Sequence, residues 1–229
     1  MLKVRVIITL TFNDGVLFRT KKFVPDYRYT TSYLSVDSVD EVFLIDITKN
    51  GPSAASLRAM ERYSDNCFAP VTMGGWIRSV DDVKKLFDIG ADKVVIGRAA
   101  RENPSLLLDI AHKWGSQAAV FGLDVRAGNV GAASDAFMAQ NSGAGEILLT
   151  DVERDGSLMG YNIPLLRRVS SAVSVPVVIS GGCGGWRHMK EAFDNGADGC
   201  TTSVIHHFAE TSLSAFKKAL SNEGVPVRP

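Results

Sequence analysis

The sequence is short of cysteine, of net charge and of long apolar runs, and each shortage removes a class of protein. Cys67, Cys183 and Cys200 are its three cysteines, far apart, with no CxxC pair and no histidine at ligand spacing. That argues against a zinc site and a disulfide framework and fits reduced, buried thiols in a cytoplasmic protein. Lys+Arg and Asp+Glu both number 25, so no charge excess draws the chain to nucleic acid or a membrane surface. No apolar stretch reaches the roughly 18 residues that a membrane span needs. The opening MLKVRVIITL has basic residues ahead of an apolar run. It is too short for a signal peptide, lacks a small-residue cleavage site, and reads as a strand. A GxGxxG fingerprint after that strand is also missing, which counts against an open dinucleotide-binding sheet.

What is present is alternation. Short β-branched apolar runs at 4–10, 41–47, 69–73, 93–96, 118–123, 146–150, 175–179 and 197–201 predict eight strands. Between most of them lie amphipathic segments such as SVDDVKKLFDIG, with Ser79 as a cap and Gly90 as a stop. Strand–helix alternation predicts a parallel sheet under helices, and eight units in 229 residues predict one (β/α)8 TIM barrel domain over residues 1–229. An internal repeat points the same way. PVTMGGWIRSVDDVKKLFDIGAD from Pro70 and PVVISGGCGGWRHMKEAFDNGAD from Pro176 share Pro-Val, a glycine pair, a tryptophan, Phe-Asp and Gly-Ala-Asp. A period near half the chain is the mark of two similar half-barrels.

Barrel active sites lie at the C-terminal ends of the strands, with phosphate commonly held after the seventh and eighth. ISGGCGG follows the seventh strand, and Gly181 and Gly182 let backbone N–H groups approach an anion. TTSVIHHF follows the eighth, where Thr202 and Ser203 would cap a short helix before Ala209. ERDGSLMGY follows the sixth, with Gly156 and Ser157 in a tight polar turn. A lone glycine pair would be loop punctuation; three such loops on consecutive strands point to phosphate. The matching loops of the first half differ. Gly75 is followed by Trp76, and Gly97 by Arg98. Arg98 could bind an anion at a second site, or Trp76 could plug the mouth while Arg98 is solvated; the residues leave both open. Asp124 ends the fifth strand and is a general acid/base candidate. Asp46 ends the second, where a structural hydrogen bond is the favoured role. His206 and His207 fall in the short helix after the eighth strand, and His112 and His188 in helical surface patterns. The first strand brings Thr11, not an acid, to the mouth.

GGWIRSVDD, GADKVVI, GSQAAV, GAGEILLTDVERDG, VPVVISGGCG and the ending GVPVRP resemble the cyclase subunit of imidazole glycerol phosphate synthase. The resemblance covers essentially the whole chain. It implies a (β/α)8 barrel that receives ammonia from a glutaminase docked at its N-terminal face. Two aspartates, ending the first and fifth strands, then convert a two-phosphate substrate into imidazole glycerol phosphate and an aminoimidazole carboxamide ribotide. No cofactor and no metal is expected. Asp124 matches the fifth-strand aspartate, while Thr11 stands in place of the other. Arg19 replaces a first-loop lysine, with Lys21 and Lys22 close by. One phosphate site, at Gly156, Ser157, Gly181, Gly182, Thr202 and Ser203, looks kept, and the other remodelled. The long insertion after the fifth strand is missing, RAGNVGAAS running straight into the next helix. At the opposite face the resemblance implies an ammonia gate of Arg5, Glu41, Lys93 and Glu146, with Asp92 and Gln117 on the glutaminase side. A ring that merely closes the barrel is the structural alternative.

A kept gate beside a lost acid implies a divergent relative. It would be a barrel partner of a glutaminase that passes ammonia to a changed acceptor, phosphorylated or nucleotide-linked. Divergent relatives of this kind serve sugar amidation for surface polysaccharides, forming acetamidino groups, often with a further amidotransferase. The alternatives are a working histidine-pathway cyclase and a non-catalytic scaffold that only delivers ammonia. The related sugar-phosphate isomerase is disfavoured, because it too uses a first-strand aspartate and needs no gate.

Overall fold

The computed structural model describes residues 3–29, 38–49, 51–127, 130–203 and 213–228. The first strand, β1 (Arg5–Asn13), is longer than the expected 4–10. It turns at Asp14-Gly15 into an antiparallel hairpin of β2 (Val16–Lys21) and β3 (Val24–Arg28). Asn-Asp-Gly is a strong hairpin signal, and both turn residues take positive φ, 53° and 77°. The hairpin is additional to the eight strands expected. The remaining barrel strands are β4 (Glu41–Asp46), β5 (Val71–Gly74), β6 (Lys93–Ile96), β7 (Ala119–Val125), β8 (Glu146–Asp151), β9 (Val177–Ser180) and β10 (Gly199–Thr202). Each pairs in parallel with the next, β1 with β4, and β10 closes onto β1. This is the (β/α)8 barrel, with all eight expected strands present.

Helices α1 (Ala54–Asp65), α2 (Val80–Asp88), α3 (Arg98–Glu102), α4 (Ser105–Trp114), α5 (Ala132–Asn141), α6 (Ile163–Ser170), α7 (Trp186–Phe193) and α8 (Leu213–Asn222) lie along the outside. Ser79 caps α2 by accepting the Asp82 N–H, and the Asp82 carboxylate takes the Ser79 hydroxyl and the Arg78 N–H in return. Gly90 ends that helix at φ 95°. β7 ends at Val125 and α5 starts at Ala132, so the loop after the fifth barrel strand is short.

The physical content of the repeat is a clamp. In each half a helix ends in Gly-Ala-Asp: Gly90 and Gly196 take φ 95° and 94°, and Ala91 and Ala197 donate back to Leu86 and Ala192. The Asp then accepts the first N–H of the preceding strand, Asp92 from Val71 at 2.7 Å and Asp198 from Val177 at 2.9 Å. Pro, Phe and Gly-Ala-Asp recur at an offset of 106 residues, whereas the two tryptophans are 110 apart. Trp76 and Trp186 are therefore not equivalents. Trp76 corresponds to Gly182.

Side chains on β1 alternate. Val6, Ile8, Leu10 and Phe12 face the helices in the main core, while Ile7 joins Phe43, Val120, Leu148 and Val178 inside the barrel. The C-terminal helix is tied beneath the barrel by a buried ion pair, Lys217 Nζ to Asp40 at 2.8 Å, and Asp40 also accepts the Val6 N–H.

Candidate functional site

Period-two alternation stacks three layers in the barrel. At the N-terminal end Arg5, Glu41, Lys93 and Glu146 form a closed ring. Arg5 reaches Glu41 at 2.7 Å and Glu146 at 2.5 Å, and Lys93 reaches them at 2.9 and 2.8 Å. Each carboxylate bridges both cations, and Glu41 also accepts the Thr72 hydroxyl at 2.6 Å. Burial opposes the Arg5 charge, but the two glutamates outweigh it and hold the guanidinium above its ordinary pKa. Asp92 and Gln117 lie exposed at the same end. The carboxylate of Asp92 is engaged in the β5 clamp, and the Gln117 amide donates to the Trp114 carbonyl. Above the ring sits the apolar layer of Ile7, Phe43, Val120, Leu148 and Val178.

The third layer opens into a cavity of about 710 Å³ at the C-terminal mouth. Thr9, Thr11, Thr150, Ser180 and Thr201 supply a belt of hydroxyls, with Asp124 among them. Counting every second residue up from Arg5, Glu146 or Val178 would have found the belt. Thr11 is inward on that count although its strand runs on to Asn13, so it does not end the strand. The Asp124 carboxyl is surrounded by protein yet open to the cavity. Burial raises its pKa, and the charges of Arg101 and Arg126 only partly oppose that. A carboxyl held this way keeps its proton to higher pH than an ordinary aspartate.

Gly156, Gly181, Gly182, Thr202 and Ser203 line one side of the cavity. Ser157 does not: its hydroxyl accepts the Met159 N–H within its own turn. Gly181 and Gly182 take φ 92° and 100°, and a Cβ would lie 2.5 Å from the Asp151 carbonyl oxygen and 2.3 Å from that of Gly160. Arg154 braces this loop through the Gly160 and Tyr161 carbonyls, both at 3.0 Å. His188, expected on the surface, is half-buried, and its Nδ1 accepts the Gly184 N–H at 2.9 Å. The expected short helix, with His206 and His207, lies outside the described residues. Gly156 packs under the hairpin, where Lys22 pairs with Glu153 and the Phe23 N–H donates to Asp155. Thr20 and Phe23 thereby join the cavity wall. Arg19 is ion-paired with Asp26 across the hairpin and Lys22 with Glu153, both outside the cavity lining.

Gly75, Trp76, Gly97 and Arg98 line the other side. Gly75 repeats the geometry of Gly181: φ is 111° and a Cβ would meet the Asp46 carbonyl oxygen at 2.2 Å. Trp76 follows at φ 60°, a left-handed conformation that costs a bulky residue about 1–2 kcal/mol. Asp46 is structural on one oxygen, where Oδ1 accepts the Thr48 N–H and the hydroxyls of Thr48 and Ser56. Ser56 in turn holds the Gly15 N–H of the hairpin turn.

The geometry defines a class: a (β/α)8 barrel with a cavity at the C-terminal mouth and a saturated ionic ring at the base. The chain belongs to the histidine biosynthesis protein family, whose model matches residues 9–212. It is similar to the imidazole glycerol phosphate synthase subunit HisF of Caulobacter vibrioides, 36% identical over 252 residues, covering all of this chain and 97% of that one. The protein of the same name in Hyphomonas neptunium is 37% identical over 250 residues, covering 100% and 99%, and that of Streptococcus sanguinis 34% over 254 residues, covering both completely. It is a HisF-like barrel. Among the described residues no helix is long and apolar enough to cross a membrane.

Proposed function

We propose that this HisF-like barrel takes ammonia from a separate glutaminase at its N-terminal face and delivers it to an acceptor in the mouth that is not the two-phosphate cyclase substrate. The observation that carries the reading is a complete Arg5–Glu41–Lys93–Glu146 ring beneath a mouth with Thr11 where the relatives' cyclase chemistry calls for an acid. The apolar layer above the ring suits neutral ammonia, because desolvating ammonium there would cost far more. Asp92 and Gln117 belong to the docking face. Asp124 is the acid/base group, Thr11 orients a reactant, and Gly156, Gly181, Gly182, Thr202 and Ser203 hold one phosphoryl group of a phosphorylated or nucleotide-linked acceptor. Sugar amidation for surface polysaccharide, together with a further amidotransferase, is the assignment that fits a changed acceptor.

Losing a general acid/base costs roughly 10²–10⁴-fold. The test assays the parent and Thr11→Asp with ammonium and the two-phosphate substrate. We expect a silent parent. A parent turning over as fast as Thr11→Asp makes this a histidine-pathway cyclase, the second reading, which full-length similarity to HisF favours. A barrel that neither binds a glutaminase subunit nor raises its glutamine hydrolysis defeats the ammonia reading. In the assembled pathway, Asp124→Asn separates catalysis in this barrel from mere delivery: unchanged flux means a scaffold.

A further inference from the structure

The two sides of the mouth share one backbone plan and carry different side chains. Gly75 and Gly181 each press on the carbonyl of the aspartate that ends the preceding strand. The next residue is left-handed in both, Gly182 at φ 100° and Trp76 at φ 60°. In the second half the Gly160 carbonyl oxygen closes the direction a side chain at Gly182 would take, at 2.3 Å, and the backbone beside it faces the cavity with Gly156, Thr202 and Ser203. In the first half an indole fills the place, half-buried and lining the cavity, with the Arg78 guanidinium 5.6 Å from its ring centre. An indole removes the room that a phosphate needs, and its face carries negative charge density that repels anions and attracts rings and cations. Trp76 holds a conformation that a glycine would adopt without strain.

We infer that the mouth binds a nucleotide in one orientation, its phosphoryl group at Gly181 and Gly182 and its base stacked on Trp76. The inference rests on the reading of Gly181 and Gly182 as the phosphate cradle, and it narrows the acceptor of the proposed function to a nucleotide-linked one. A cavity of about 710 Å³ that contains both sides is in the range of small-molecule pockets. Arg98, on the same wall as Trp76, is placed to meet the polar edge of a base.

The experiment is calorimetric titration of the full chain with uridine 5′-monophosphate, ribose 5-phosphate and inorganic phosphate, repeated on Trp76→Leu and Trp76→Phe. Stacking on an aromatic ring predicts that the nucleotide binds roughly 5- to 150-fold tighter than ribose 5-phosphate. Trp76→Leu should abolish that margin and Trp76→Phe keep part of it, with inorganic phosphate unchanged throughout. Should Trp76→Leu fail to fold, quenching of parent tryptophan fluorescence by the nucleotide and not by phosphate decides the matter. Equal affinity for nucleotide and ribose 5-phosphate, or a margin that survives Trp76→Leu, overturns the inference while leaving the phosphate cradle intact. Failure of all three ligands to bind removes the cradle, and the inference with it.

Discussion

The two ends of this barrel handle polar groups in opposite ways. At the base, two carboxylates and two cations satisfy one another within 2.9 Å. At the mouth, Asp124 stands among threonines, its pKa raised because burial outweighs the distant arginines. In the saturated ring each charge is already neutralised by its neighbours. The carboxyl at the mouth is poorly compensated, and burial raises its pKa instead. The two halves of the mouth form a second contrast, with one backbone plan ending in glycine on one side and in a strained tryptophan on the other.

The contrast between the ends is broken most strongly at the ring. Glu146→Ala leaves Arg5 and Lys93 sharing Glu41, and removing one partner of a buried network costs about 3–5 kcal/mol. The cations keep some solvent, so the low end is expected, read from the midpoint of urea unfolding. Next come Gly75→Ala and Gly181→Ala, each strained by positive φ and by a carbonyl contact. Both should lose about 1–3 kcal/mol in the same assay, and widely different losses would contradict the equivalence of the halves. Asp92→Ala and Asp198→Ala each remove one clamp at an exposed site, and should cost about 1 kcal/mol apiece, additively in the double variant.

The smallest effect has the opposite sign. A carboxyl whose folded pKa lies above its unfolded value costs stability once ionised. That cost is complete above the folded pKa and absent below the unfolded pKa of about 4. Asp124→Asn should therefore raise the melting temperature slightly at neutral pH, with the gap closing as pH falls below 4. A variant less stable than the parent at pH 7 would mean that Asp124 is bound into the structure like the ring.

Much of this was legible beforehand because barrel strands obey a period of two and helices announce their ends. The eight strands, the Ser79 cap and the Gly-Ala-Asp stops all follow from local chemistry. The hairpin was legible too, in Asn-Asp-Gly, but the expectation of a helix after a barrel strand hid it. Ser157 was grouped with the phosphate loop by adjacency to Gly156, and its hydroxyl turns back to Met159 instead. His188 looked like a surface residue in a helical pattern, and only folding the Gly184 loop over α7 gives its ring a partner.

By itself, then, the sequence determined the barrel, its internal repeat and the charges at the strand starts, because periodicity and helix-end signals act between near neighbours. Tertiary structure decided which residues meet. It carried Thr20 and Phe23 into the mouth, and joined Arg5, Glu41, Lys93 and Glu146, up to 141 positions apart, into one ring. Those contacts come from the hairpin packing on the loop after β8 and from the curling of the whole sheet into a barrel, and no local signal specifies them.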